Sequence, residues 1–120
     1  YFAGKGHLST PIHYQFCLGV LGGMPATVEN LVYLVNHIPE GSTWSAFGVG
    51  KQHLPIMYAA LALGGNIRVG LEDNVYFSKG VPATNVGLVE RAVKAVETFG
   101  KQVATPAEAR EILGIPPLAR

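Results

Sequence analysis

Three times along the chain the apolar pattern changes period, from a short unbroken run to a stripe at helical spacing. Residues 14–20 (YQFCLGV) are a run of strand length, rich in aromatic and branched side chains. Gly22 and Gly23 break it and Pro25 suits a first helical turn; Val28, Leu31, Val32 and Val35 then mark one buried helix face. After a turn at Pro39-Glu40-Gly41-Ser42, residues 43–49 (TWSAFGV) repeat the strand pattern, ended by Gly48 and Gly50. Pro55 lies early in a second helix striped by Ile56, Ala59, Ala60 and Leu63, with Gly64-Gly65 as its C-cap. A third strand is expected over residues 66–71, followed by a long loop through Lys79-Gly80 and Pro82. The third helix is expected to start near Thr84 or Asn85. Its broad face carries Leu88, Val89, Ala92, Val93, Ala95, Val96 and Phe99, and Gly100 ends it. A last short helix opens on Thr105-Pro106-Ala107-Glu108, a capping box, and stops before Gly114 and Pro116-Pro117. Residues 1–13 read as loop.

Apolar strands alternating with helices imply parallel strands with helical cover. Three such strands alone leave two unpaired edges and one bare face. A (β/α)₈ TIM barrel takes about 250 residues, and three consecutive units fit its last three. A small doubly wound sheet of the flavodoxin type needs about two more strands than the pattern offers, and is rejected. Residues 1–120 are therefore expected to be the C-terminal portion of a single TIM-barrel domain, ending in an extra helix. The start at Tyr1 rather than methionine agrees with an N-terminal portion absent from this sequence.

Hydrophobic residues make up 48% of the chain and charged residues 14%, so much of the surface is expected to meet other protein. The net charge of +1 is spread evenly and gives no electrostatic footprint for nucleic acid. A lone cysteine, Cys17, excludes an internal disulfide and fits a reducing cytoplasm. Its apolar neighbours predict a small core residue. No apolar run reaches the roughly 18 residues of a membrane span, and no secretory pattern is present. Trp44 suits either core or subunit interface, and Ser45, alternating with it, faces either the barrel interior or the outer helices.

Chemistry concentrates in residues 68–74, RVGLEDN. Residues 68–71 read as a short buried strand that runs straight into Glu72, Asp73 and Asn74. Buried carboxylates without partners cost several kcal/mol. One reading is a loop start where Asp73 or Asn74 caps a turn and Glu72 is solvated. The other is an active-site edge, where one carboxylate binds a metal and the other handles protons beside a guanidinium. Ligands of parallel α/β folds meet the C-terminal strand ends. Residues 19–24, 48–53 and 72–74 lie there. In the second of these, Gly48, Gly50 and Lys51 at a helix start offer a phosphate cradle.

RVGLEDN, the Lys79-Gly80 loop, Leu88-Val89-Glu90-Arg91 and Val103-Ala104-Thr105-Pro106-x-Glu108-Ala109-Arg110 together resemble the β-keto acid cleavage enzymes. Gln15-Phe16-x-Leu18-Gly19-Val20, Pro25-Ala26-Thr27 and the run from Trp44-Ser45 to Gly48-x-Gly50 extend the resemblance over nearly all the chain. It implies the C-terminal part of a TIM barrel that joins a β-keto acid to acetyl-CoA, giving acetoacetate and a new acyl-CoA. It further implies a zinc ion held by a His-x-His pair from an early strand and by Glu72, with Arg68 and Asp73 as the dyad that removes a proton from the keto acid. Gly48, Gly50 and Lys51 become candidates for a CoA phosphate. A cytoplasmic homo-oligomer, a tetramer by the resemblance, is expected, with the last helix and its Pro116-Pro117 tail docked on a neighbouring subunit. One departure stands out: His7, His13, His37 and His53 are isolated, with no His-x-His among them. His53, in a βα loop on the presumed active face, is the best placed. The rival reading is a non-catalytic half-barrel that binds partner chains through its strand edges.

Overall fold

The apolar runs become strands that pair in parallel. In the computed structural model, which describes residues 1–8 and 10–116, β1 (His13–Leu18) lies beside β2 (Thr43–Gly48) from His13↔Thr43 to Leu18↔Gly48. β3 (Asn66–Ile67) pairs with the other edge of β2, Ser45 opposite Asn66 and Ala46 opposite Ile67. Spatial order follows chain order, β1-β2-β3.

The helices are α1 (Val28–Val35), α2 (His53–Ala62), α3 (Asn85–Thr98) and α4 (Pro106–Ile112). Threonine hydroxyls start three of them: Thr27 accepts from the Asn30 N–H, Thr84 from that of Gly87 and Thr105 from that of Glu108. Thr105 and Glu108 form the expected reciprocal box, and Gly64 (φ 85°) and Gly100 (φ 67°) end α2 and α3 in the left-handed conformation. Pro25 stands two residues before the α1 cap, so it is not in the first turn as the sequence suggests.

One face of the sheet carries the core. Leu18, Trp44 and Ala46 meet Leu31 of α1 and Ile56 and Ala60 of α2. Each such large apolar side chain contributes about 1.5–3 kcal/mol on burial. Met57 and Leu61, on the other flank of α2, join Ala92 and Ala95 of α3 with Ile67 and Val69 alongside. The α2 helix is thus buried on two sides, more widely than its predicted stripe, while Leu63 of that stripe is exposed. In α3, Leu88, Ala92 and Ala95 are buried, but Val89 and Phe99 remain exposed. Trp44 lies so close to the α2–β3 turn that a Cβ on Gly65 would sit 2.3 Å from its ring.

The opposite face carries His13, Gln15, Ser45, Phe47 and Arg68. Period-two alternation along β1 puts Cys17 there too, exposed rather than in the core. The third strand is also shorter than predicted. Its ladder stops at Ile67 although the Arg68 N–H still reaches the Ala46 carbonyl at 3.4 Å. Beyond it Gly70 turns the chain, so residues 68–71 are not a buried strand. The predicted long loop contains an antiparallel hairpin, β4 (Tyr76–Ser78) and β5 (Val81–Pro82). Among the described residues no helix is long and apolar enough to cross a membrane. Pro117, part of the predicted docking tail, lies outside the described residues.

Candidate active site

The turn after β3 is built by its own backbone and two asparagines. The Gly70 carbonyl accepts the N–H groups of Asp73 (3.2 Å) and Asn74 (3.1 Å). Asn85, first residue of α3, accepts the Leu71 N–H through Oδ1 at 2.9 Å, and the buried Asn74 donates from Nδ2 to the Gly48 carbonyl at 3.0 Å. These bonds tie the acidic turn to the C-terminal end of β2 and to the start of α3.

Arg68 and Asp73 then meet as a two-point ion pair. Nε donates to Oδ2 and Nη2 to Oδ1, both at 3.0 Å. Nη2 also reaches Glu72 Oε2 at 2.7 Å, and Nη1 reaches Gln15 Oε1 at 3.0 Å. The Phe47 ring covers one guanidinium face, its centroid 4.4 Å from Cζ. Hydrogen bonding to Asp73 is the main reason the Arg68 guanidinium is raised above its ordinary value, so it stays charged. The Asp73 side chain is 6% exposed, that of Arg68 33% and that of Glu72 84%. The two acids therefore differ: Asp73 is enclosed and paired, while Glu72 faces outward and can donate its carboxylate elsewhere.

A cavity of about 980 Å³ opens beside the pair. Val49, Gly50, Lys51 and the first residues of α2, His53 and Leu54, form one wall, Asp73 and Asn74 the floor, and residues 75–80 the other wall. Gly50 (φ 70°) and Lys51 line it. Gly48 does not. It is buried, and a Cβ there would fall 2.9 Å from the Gln52 carbonyl oxygen and 3.0 Å from Ile56, so its role is to let the following turn fold back.

His53 also lines the cavity, but its ring is committed. Nε2 sits 2.9 Å from Arg91 Nη2, which can only donate, so Nδ1–H donates to the Gly50 carbonyl at 2.8 Å. Arg91 further donates to the Phe77 carbonyl at 2.6 Å and stacks on the Phe77 ring. Burial lowers the Arg91 guanidinium from its ordinary value. His53 and Arg91 thus brace the hairpin wall. Among the described residues no three His, Cys, Asp or Glu side chains come together as a metal set.

A model of the beta-keto acid cleavage enzyme family matches residues 1–115. The chain belongs to that family. It is 50% identical over 114 residues to the 3-keto-5-aminohexanoate cleavage enzyme of Acetoanaerobium sticklandii, an overlap of 94% of this chain and 42% of that one. Its identity to the enzyme of the same name from Fusobacterium nucleatum is 45% over 112 residues, 92% of this chain and 40% of the other. A 3-dehydrocarnitine:acetyl-CoA trimethylamine transferase of Rhizobium meliloti is 41% identical over 111 residues, 92% of this chain and 37% of its own. This family member spans about two fifths of the length of the curated relatives it matches.

Of the residues singled out in sequence, Arg68, Glu72 and Asp73 come together, and Gly50 and Lys51 face the adjoining cavity. The hairpin wall, its brace through Arg91, and Gln15 beside Arg68 were not foreseen. Only the Leu88-Val89-Glu90-Arg91 motif pointed toward the brace.

Proposed function

We propose that this chain forms the last three strand–helix units and the C-terminal helix of a TIM barrel, residues 1–120 being the C-terminal portion of that one domain. The complete barrel exchanges acyl groups between a β-keto acid and acetyl-CoA. Sequential parallel strands with α1, α2 and α3 on one face support the barrel over a doubly wound sheet, which distributes helices on both faces. The observation that carries the activity is the two-point Arg68–Asp73 pair beside Glu72, at the C-terminal end of parallel strands where barrels hold their chemistry.

In this reading Asp73 removes a proton from the carbon between the ketone and carboxylate of R–CO–CH₂–COO⁻. The carbanion attacks the thioester carbonyl of acetyl-CoA and expels CoA thiolate. The thiolate adds to the R–CO carbonyl, and the carbon–carbon bond breaks to release acetoacetate and R–CO–SCoA, with the proton returned to carbon. The C–H lies next to a ketone, which acidifies it, and a positioned carboxylate can serve as its base. Arg68 fixes the Asp73 oxygens; each retains a lone pair beyond the one that Arg68 occupies.

Glu72, exposed at the same edge, suits one position in a zinc set. The described residues do not complete that set, the His-x-His pair belonging by resemblance to an early strand, and no step above runs through the metal. Zinc bound there would polarise the ketone oxygen. Gly50 and Lys51 would meet a CoA phosphate from their wall of the cavity. The assembly proposed is a cytoplasmic homo-oligomer, a tetramer by resemblance.

The test is made on the full-length polypeptide supplied with zinc. Acetoacetate should form from a β-keto acid and acetyl-CoA, and Glu72→Gln should lower both bound zinc and turnover. Unchanged metal content and rate in that variant would sink the ligand assignment.

A further inference from the structure

Arg68, Glu72 and Asp73 lie within five residues of one another, so their mutual bonds do not fix them relative to the rest of the sheet. Among the side-chain bonds of these three residues, one crosses to another strand. Arg68 Nη1 donates to Gln15 Oε1 at 3.0 Å, across 53 positions of sequence. Gln15 is on β1 and Arg68 follows β3, with β2 between them. The link therefore straps across two strand spacings, roughly 9–10 Å, over the Phe47 ring.

Behind Gln15 the bonding continues in one direction. Because Oε1 must face the guanidinium, Nε2 faces Ser45 Oγ, 3.4 Å away. Ser45 is buried directly opposite Gln15 in the parallel register. Its Oγ also lies 3.1 Å from His13 Nε2, and His13 Nδ1 lies 2.9 Å from Thr43 Oγ1. Arg68, Gln15, Ser45, His13 and Thr43 thus form a connected chain of hydrogen-bonded side chains. It runs along the sheet face opposite α1, α2 and α3, where Ala109 and Ile112 of α4 share a small cavity with it.

We propose that Gln15, backed by Ser45, is a positioning residue that locks the Arg68–Asp73 pair to strand β1. Gln15 touches no reacting atom; it acts through Arg68. The kinetic consequence rests on the activity proposed above, whereas the mechanical one does not.

The experiment compares Gln15→Leu with the unaltered full-length polypeptide by amide hydrogen exchange and steady-state kinetics. The Asp73 and Asn74 amides, bonded to Gly70 in the acidic turn, should exchange about tenfold faster in the variant while Ala60 in α2 is unchanged. Turnover should fall about ten- to hundredfold, the range typical of lost outer-shell support, with KM for acetyl-CoA within about twofold. Ser45→Ala should give the same pattern at smaller amplitude, and decides the matter if Gln15→Leu does not fold. Unchanged exchange at Asp73 and Asn74, or an equal rise at Ala60, overturns the proposal, as does an unchanged turnover in an active enzyme. Absence of any cleavage activity in the unaltered protein refutes the proposed function instead, and the exchange data still decide the positioning.

Discussion

Removing either half of the Arg68–Asp73 pair should not cost the same stability. Asp73 is 6% exposed, so Arg68→Met leaves an enclosed carboxylate without the two 3.0 Å bonds that hold it. Breaking a fully buried pair this way costs about 3–5 kcal/mol. Arg68 itself is one-third exposed, so water can partly replace it, which brings the expected loss to about 2–3 kcal/mol. Asp73→Ala leaves a guanidinium that still holds Glu72 and Gln15 and reaches water, and should cost about 1 kcal/mol. Urea unfolding of the full-length polypeptide, compared at a common slope, reads the difference. An Asp73→Ala variant as unstable as Arg68→Met, or more so, would refute the reasoning. In turnover the order should disappear: under the proposed function the two residues work as one unit, and the double variant should be scarcely slower than either single one.

Gly65→Ala should destabilise by about 1–3 kcal/mol in the same assay, because its methyl group would press on the rigid Trp44 ring and not on a movable chain end. Thr105→Ala should cost about 1 kcal/mol of α4 stability, visible in the Cα chemical shifts of residues 106–112. Glu108 titrates below its ordinary value, chiefly through the Thr105 backbone N–H and then the hydroxyl. Its support of α4 should therefore be complete above the ordinary glutamate range and fade as pH falls through the lowered value. Lys51→Ala should raise KM for acetyl-CoA with little change in kcat, since Lys51 lines the cavity wall and makes no hydrogen bond to Arg68 or Asp73 among their side-chain bonds. Residues 1–120 expressed alone, with exposed apolar residues such as Leu21, Val86 and Val103, should aggregate or collapse loosely; a compact monomer with a cooperative melt would contradict this.

The strand–helix alternation was legible because each period reports a backbone geometry directly. The α4 box was legible because threonine, proline and glutamate at that spacing satisfy a helix start and little else. Tertiary geometry hid the rest. Apolar neighbours made Cys17 look like core, but alternation along β1 turned it to the other face. Val69, Gly70 and Leu71 looked like strand, yet two N–H groups converging on the Gly70 carbonyl end the ladder at Ile67. The hairpin at Tyr76–Ser78 and Val81–Pro82 is too short for a periodic signal, and depends on Arg91 fourteen residues beyond Phe77. Arg68, Glu72 and Asp73 could be picked out because they are neighbours in sequence. Gln15 could not, since nothing in a glutamine within an apolar run says which guanidinium it will meet.

The central claim is that this chain carries the proton-abstracting pair of an acyl exchange. The most direct measurement follows the fate of ¹³C from both acetyl carbons of acetyl-CoA in the full-length polypeptide, with and without Asp73→Asn. Label is expected at carbons 3 and 4 of acetoacetate, with CoA recovered on the remainder of the keto acid and both products lost in the variant. Unlabelled acetoacetate, or labelled acetoacetate formed as fast by Asp73→Asn as by the unaltered protein, would contradict that claim.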